Sequence, residues 1–162
     1  MKLESPAFEH EGVIPTKYTC DGGPPAGGIS PPLKISGVPE GTKTLFLNMD
    51  DPDVPKSIRP DGLWNHWLVW DIPPETTEIP EGEEPKGVIG KNTGGKFGYG
   101  GPCPPDREHR YWFELFALGA PLNLPPEATK QEIEDALVDA NVLAKAELMG
   151  RYNRKQNLES RS

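Results

Sequence analysis

Polar and apolar residues change rhythm along this chain, and the changes mark its elements. Thr44-Leu45-Phe46-Leu47-Asn48-Met49 is a short apolar run that ends in carboxylates. Trp64 to Ile72 (WNHWLVWDI) is rich in aromatic and branched residues, and Arg110 to Leu118 (RYWFELFAL) is the strongest run of the three. Each mixes alternation with continuous apolar stretches, as strands covered on one or both faces do. Lys34-Ile35-Ser36 and Val88-Ile89 are weaker strand candidates. A different period follows Thr129-Lys130-Gln131-Glu132, where Thr129 can cap a helix and Glu132 can reach back to it. Ile133, Ala136, Leu137, Ala140, Leu143 and Ala144 then recur at helical spacing, which predicts helix towards a stop at Gly150, with Asn141 able to break it into two. The polar tail Arg154 to Ser162 is expected to fray.

Residues 51–63 and 73–105 show no regular pattern. The second stretch far exceeds the ~12–15 residues at which structureless loops become uncommon. It holds glycine and aromatic residues as well as charge, so an ordered, functional loop is expected.

With 162 residues, the chain suits a single domain of about 150. Eighteen glycines and 20 prolines are about twice the usual share, which excludes a helical bundle. A net charge of −8 argues against nucleic acid or a membrane surface as partner. No run is long and apolar enough to span a bilayer, and the first residues hold no secretory leader, so a cytoplasmic protein is expected. Cys20 and Cys103 fall short of a disulfide framework; two reduced thiols are the default, with one bridge left open.

Several familiar motifs are approached and missed. Gly90-Lys91-Asn92-Thr93-Gly94-Gly95-Lys96 resembles a phosphate loop, but Phe97 stands where Ser or Thr is needed, and Gly-Tyr-Gly-Gly-Pro cannot be the required helix. From Gly98 a dinucleotide fingerprint begins, with Cys103 at its last glycine. Asp51-Pro52-Asp53 opens like a calcium loop, yet Lys56 and Gly62 replace its turn glycine and final glutamate. No Gly-x-Ser-x-Gly, Cys-x-x-Cys or His-Glu-x-x-His occurs, so no metal and no cofactor are expected.

What remains is polar chemistry gathered at strand ends. Asp50, Asp51 and Asp53 close the first strong strand, and His66 lies in the second. His109 and Tyr111 open the third, just after Gly100-Gly101-Pro102-Cys103-Pro104-Pro105; two apart on a strand, they point to one face. A carboxylate beside a histidine favours imidazolium. Two imidazoliums, a phenol and the N–H groups of a glycine-rich turn would make a site of donors suited to an oxyanion such as phosphate. Taken singly, each histidine is as well read as a satisfied core residue, and each aspartate as a turn cap. The nearby Trp64, Trp67, Trp70, Tyr99 and Trp112 read as core or pocket wall.

Longer strings carry a resemblance. Gly12-Val13-Ile14-Pro15, Tyr18-Thr19-Cys20-Asp21-Gly22 and Ile29-Ser30-Pro31-Pro32-Leu33 resemble the start of bacterial and archaeal phosphatidylethanolamine-binding proteins, the Raf kinase inhibitor protein family, in its YbhB/YbcL-like branch. The likeness continues through Asp50-Asp51-Pro52-Asp53-Val54-Pro55, His66-Trp67-Leu68-Val69-Trp70, Gly98 to Pro105 and His109-Arg110-Tyr111, over residues 8–152. It implies a mainly β fold, with a central antiparallel sheet packed on a second sheet and a few flanking helices. It also implies a small pocket for phosphate and phosphoethanolamine headgroups at Asp51, His66, Gly101, His109 and Tyr111, with Asp50 and Asp53 in the same block. Val54-Pro55 is a candidate cis bond by the same likeness. Cys20 and Cys103 lie in separate blocks and can bridge if those loops touch. Arg107 replaces a customary glycine, and Asp71 a customary asparagine. The C-terminal lid helix of mammalian members cannot be carried over, and a homodimer is expected as in other prokaryotic members.

The leading functional expectation is a non-enzymatic protein that binds a phosphate headgroup or a phosphorylated side chain. By distant analogy it would regulate or inhibit a kinase or a serine protease. A small hydrolase using Asp51, His66 and His109 is the second reading, and an interaction scaffold with a vestigial pocket, working through 73–105, is the third.

Overall fold

Alternate positions of one strand, His109, Tyr111, Phe113, Leu115 and Ala117, are all buried, while Arg110, Trp112, Glu114 and Phe116 between them are exposed or half-buried. This period of two is the signature of a sheet with one face turned to a core. In the computed structural model, which describes residues 1–155, the chain runs β1 (Lys2–Glu4), β2 (Gly12–Val13), β3 (Leu33–Ser36), β4 (Thr44–Asp51), β5 (Trp64–Ile72), β6 (Glu78–Ile79), β7 (Val88–Ile89), β8 (His109–Leu118), α1 (Lys130–Ala140) and β9 (Val142–Tyr152). A single 3-10 turn spans Thr16–Tyr18.

The strands form two sheets. One has six strands in the order β2-β9-β8-β4-β5-β7, the other three in the order β1-β3-β6. All pairings are antiparallel except the short parallel contact of β2 with β9. Leu3, Leu33, Ile35 and Ile79 of the small sheet pack on Leu47, Met49, Val69, Phe113 and Leu115 of the large one. The opposite face of the large sheet carries Phe46 and Trp70, covered by Ile133 and Ala140 of α1. The expected mainly β, two-sheet fold is the observed one.

All five strand candidates appear as strands. The helix is shorter than its spacing predicts. Its cap is as read, with the Thr129 hydroxyl accepting from the Glu132 N–H and the Glu132 carboxylate accepting from the Thr129 N–H. At Asn141 the backbone turns left-handed (φ 60°). There the Gly119 N–H takes up the Ala140 and Asn141 carbonyls. Leu143, Ala144 and Gly150 therefore belong to β9 and not to a helix. Ala144, Ala146 and Leu148 alternate with Lys145 and Glu147, and pairing along β8 rewards that period over the helical one. Residues 73–105 are not featureless either: β6 and β7 dock parts of them on both sheets. Most of the tail lies outside the described residues, but Arg154 is tied to Asp21 at 2.9 Å and does not fray. Among the described residues the cis bond is Pro24–Pro25, and Val54–Pro55 is not cis.

Cys20 and Cys103 form a disulfide across 83 residues of sequence, in place of two reduced thiols. The Cys20 N–H also donates to the Pro102 carbonyl at 3.1 Å. Gly101 next to it cannot carry a side chain, because a Cβ there would collide with the Gly27 and Tyr18 carbonyls. A cross-link closing so long a loop removes much freedom from the unfolded chain. The double variant Cys20→Ser/Cys103→Ser is expected to lose about 2–4 kcal/mol of stability in urea denaturation; an unchanged midpoint would show that the backbone contacts suffice.

Candidate anion site

A cavity of about 420 Å³ opens at one end of the large sheet. Its wall includes Asp51, His66, Gly101, His109 and Tyr111, so the three separated sequence blocks converge. Asp51 and His109 come from the neighbouring strands β4 and β8. Pairing places Asp50 opposite Trp112, which sets Asp51 and Tyr111 on the inner face. His66 arrives by a different device. Met49 pairs with Trp67, but Asp50 pairs with Asn65, so β5 carries one extra residue, His66, in a bulge. A bulge lets two successive side chains depart from strict alternation, and His66 and Trp67 are both buried.

His109 is fully buried and both of its ring nitrogens are engaged. Nδ1 lies 2.6 Å from Asp51 Oδ2, and Nε2 lies 2.7 Å from Asp106 Oδ1. Asp51 is steadied in turn by the Asp53 N–H at 2.8 Å. The His109 and Tyr111 rings stack with centroids 6.4 Å apart, and His66 meets Tyr111 edge-on at 5.3 Å. His66 donates through Nδ1 to the Gly100 carbonyl at 2.7 Å, which leaves Nε2 as its other functional atom. The Tyr111 hydroxyl is buried and makes no hydrogen bond of normal length, with the Asp51 carboxylate close enough to act on it.

Two of the residues expected at the site stand elsewhere. Asp50 points to the opposite face of the sheet, as alternation requires of the neighbour of Asp51. There it accepts from the Asn48 and Asn65 amides at 2.8 and 3.0 Å. Asp53 is not in the cavity wall; its carboxylate clamps Arg110 through the backbone N–H, Nε and Nη2 at 2.9, 3.0 and 2.8 Å. The glycine-rich turn also differs from expectation. The Gly100 and Gly101 N–H groups donate to the His66 and Gly27 carbonyls, so they form wall and not donors. Arg107, in the customary glycine position, has no left-handed backbone. It turns outward to the Asp53 carbonyl and stays out of the cavity wall.

Trp64, read as core or pocket wall, is in the wall; sequence reasoning missed Asn92 and Lys96 there, and Asp106 on His109. Only Asp106 left a signal, a carboxylate three residues before a histidine.

A model of the family described as phosphatidylethanolamine-binding protein matches residues 4–153. The chain belongs to this family. A UPF0098 protein of Chlamydia pneumoniae is 47% identical over 95% of this chain and 99% of its own length. A UPF0098 protein of Methanothermobacter thermautotrophicus is 43% identical, over 95% and 99% of the two chains. Among solved structures, a putative phosphatidylethanolamine-binding protein homolog from Chlamydia trachomatis superposes with a TM-score of 0.88 at 44% identity, covering 95% of this chain and 97% of its own. E. coli YbcL, described as a new member of the mammalian family, gives 0.81 at 30% identity, covering 95% and 98%.

In this phosphatidylethanolamine-binding protein family member the two histidines are driven apart in proton affinity. Burial alone would depress His109, but the hydrogen bonds and charges of Asp51 and Asp106 outweigh it and raise its pKa. His66 is lowered, because burial outweighs the Gly100 carbonyl and the charge of Asp51. Burial and the Asp51 charge push the Tyr111 phenol far up, so it keeps its proton and can only be a neutral donor or acceptor. The resting cavity therefore holds one imidazolium locked between carboxylates, one neutral imidazole and one free hydroxyl.

A raised histidine pKa stabilises the fold fully below the unfolded value of ~6.5. That contribution disappears as pH rises through the folded value. His109→Asn is accordingly expected to cost more stability at about pH 6 than at about pH 9, measured by urea denaturation. Ring-nitrogen NMR should show His109 titrating above His66; the reverse order would contradict this electrostatic reading.

Proposed function

We propose that this protein is a non-enzymatic receptor for a small phosphate-bearing group, a headgroup of the phosphoethanolamine kind or a phosphorylated side chain. The observation that carries the reading is the unpartnered Tyr111 hydroxyl, buried beside His66 in an open cavity. Buried hydroxyls are normally hydrogen-bonded, and one left free in a cavity wall invites a ligand oxygen. His66 offers Nε2 next to it, ready to share the proton of a phosphate oxygen. Lys96 adds a cation to the cavity wall. Trp64, Val54 and Ile58 supply apolar wall for the atoms that carry the phosphate.

A general base needs a free nitrogen within reach of the proton it removes; both nitrogens of His109 are held by carboxylates, so in a hydrolase reading that role would fall to His66 Nε2. The sulfur of Cys103 is committed to the disulfide. Regulation of a kinase or protease would follow from capture of a phosphorylated side chain on such a partner.

Tyr111→Phe and His66→Ala are each expected to weaken binding of phosphoethanolamine at least about tenfold, since a hydrogen bond to a charged group contributes roughly 1.5–3 kcal/mol. Isothermal calorimetry measures this. Wild-type affinity in both variants would remove the cavity from the account, and turnover of a generic phosphoester that is lost in His66→Ala would restore the enzyme.

A further inference from the structure

We infer that Asp106 is a built-in competitor for the anion, a carboxylate that occupies the His109 donor until a stronger oxyanion displaces it. The inference rests on the proposed anion site and concerns which anions that site accepts. His109 lines the cavity, and its Nε2–H, the one not given to Asp51, is held at 2.7 Å by Oδ1 of Asp106, a residue outside the cavity wall. Asp51 is fixed on the other ring nitrogen and buried; Asp106 is different, because its side chain is 40% exposed and sits on a loop. It also has a second partner waiting. Arg107 Nε lies 3.6 Å from the other Asp106 oxygen, so a displaced carboxylate stays paired.

The backbone donors of the neighbouring glycine turn are consumed internally. Among the described wall residues, the side chains that the resting cavity offers an anion include Tyr111, His66 and Lys96. The His109 imidazolium is the strongest donor in the wall, and an anion reaches it only by taking the place of Asp106. A tethered carboxylate acts at an effective concentration in the millimolar range. Free monocarboxylates have the same chemistry as Asp106 and gain nothing by the exchange. A phosphate monoester carries close to two charges and three acceptor oxygens, so it can take the His109 N–H while also reaching Tyr111. Asp106 thereby selects phosphate-bearing ligands over carboxylates.

The test compares inorganic phosphate and acetate binding to wild type, Asp106→Asn and the control Glu108→Gln. Glu108 is an exposed carboxylate two residues away that pairs with Arg151 and does not touch His109. Asp106→Asn should bind phosphate about tenfold more tightly, about 1.4 kcal/mol, and should acquire measurable acetate binding, while Glu108→Gln changes either affinity less than about twofold. Ring-nitrogen NMR should show the His109 Nε2 signal moving when acetate is added to Asp106→Asn, and staying still in wild type. Equal phosphate affinity in wild type and Asp106→Asn would overturn the inference and leave the anion site standing. An equal gain in Glu108→Gln would reduce Asp106 to a general charge effect and overturn it as well. Phosphate that binds none of the three proteins would overturn both the inference and the site beneath it.

Discussion

Charged groups are rarely left in a protein interior without a partner, and Asp51 and His109 are each other's partner at the heart of this fold. Removing His109 would leave the buried Asp51 without its counter-charge, and removing Asp51 would leave His109 with Asp106 alone. The pair exists because β4 and β8 are neighbours in the large sheet, with the end of one beside the start of the other. Everything at the cavity is placed relative to it. Tyr111 is two residues on from His109, His66 is brought in by the bulge opposite Met49 and Asp50, and Asp53 holds the start of β8 through Arg110. The cystine then fastens the Cys20 loop to Cys103 in the cavity wall.

Much of this architecture was legible in the sequence because strand periodicity is local. The runs at Thr44, Trp64 and Arg110 became β4, β5 and β8 with shifts of two residues or fewer. The error in β9 has a physical origin. Ala140, Leu143 and Ala144 satisfy a helical period by accident, and only the left-handed Asn141 and the long register with β8 reveal a strand. Tertiary pairing of that kind is invisible along a single chain.

The site was half legible. The same-face placement of His109 and Tyr111 followed from strand geometry, and the family likeness named the rest. What could not be read was the state of each group. Two imidazoliums and a ring of backbone donors were expected; burial instead disfavours charge on His66, and the glycine N–H groups are spent on backbone carbonyls. Asp50 was expected beside Asp51, but alternation turns it to the face under α1. The cystine was likewise beyond reach, because the approach of residues 20 and 103 depends on two loops with no periodic pattern. Such bridges persist in oxidising surroundings and in intracellular proteins of hyperthermophiles, so this one lends no support to a location in an ordinary reducing cytoplasm.

The proposed function requires one cavity to bind phosphate through Tyr111 and His66. The most direct measurement is an amide and imidazole NMR titration with phosphoethanolamine, using chloride at matched ionic strength as the control. Saturable shifts centred on Asp51, His66, Gly101, His109 and Tyr111, with Asp50 unmoved on the far face, are the predicted result. Shifts spread over the surface lysines and arginines, or equal shifts with chloride, would contradict it.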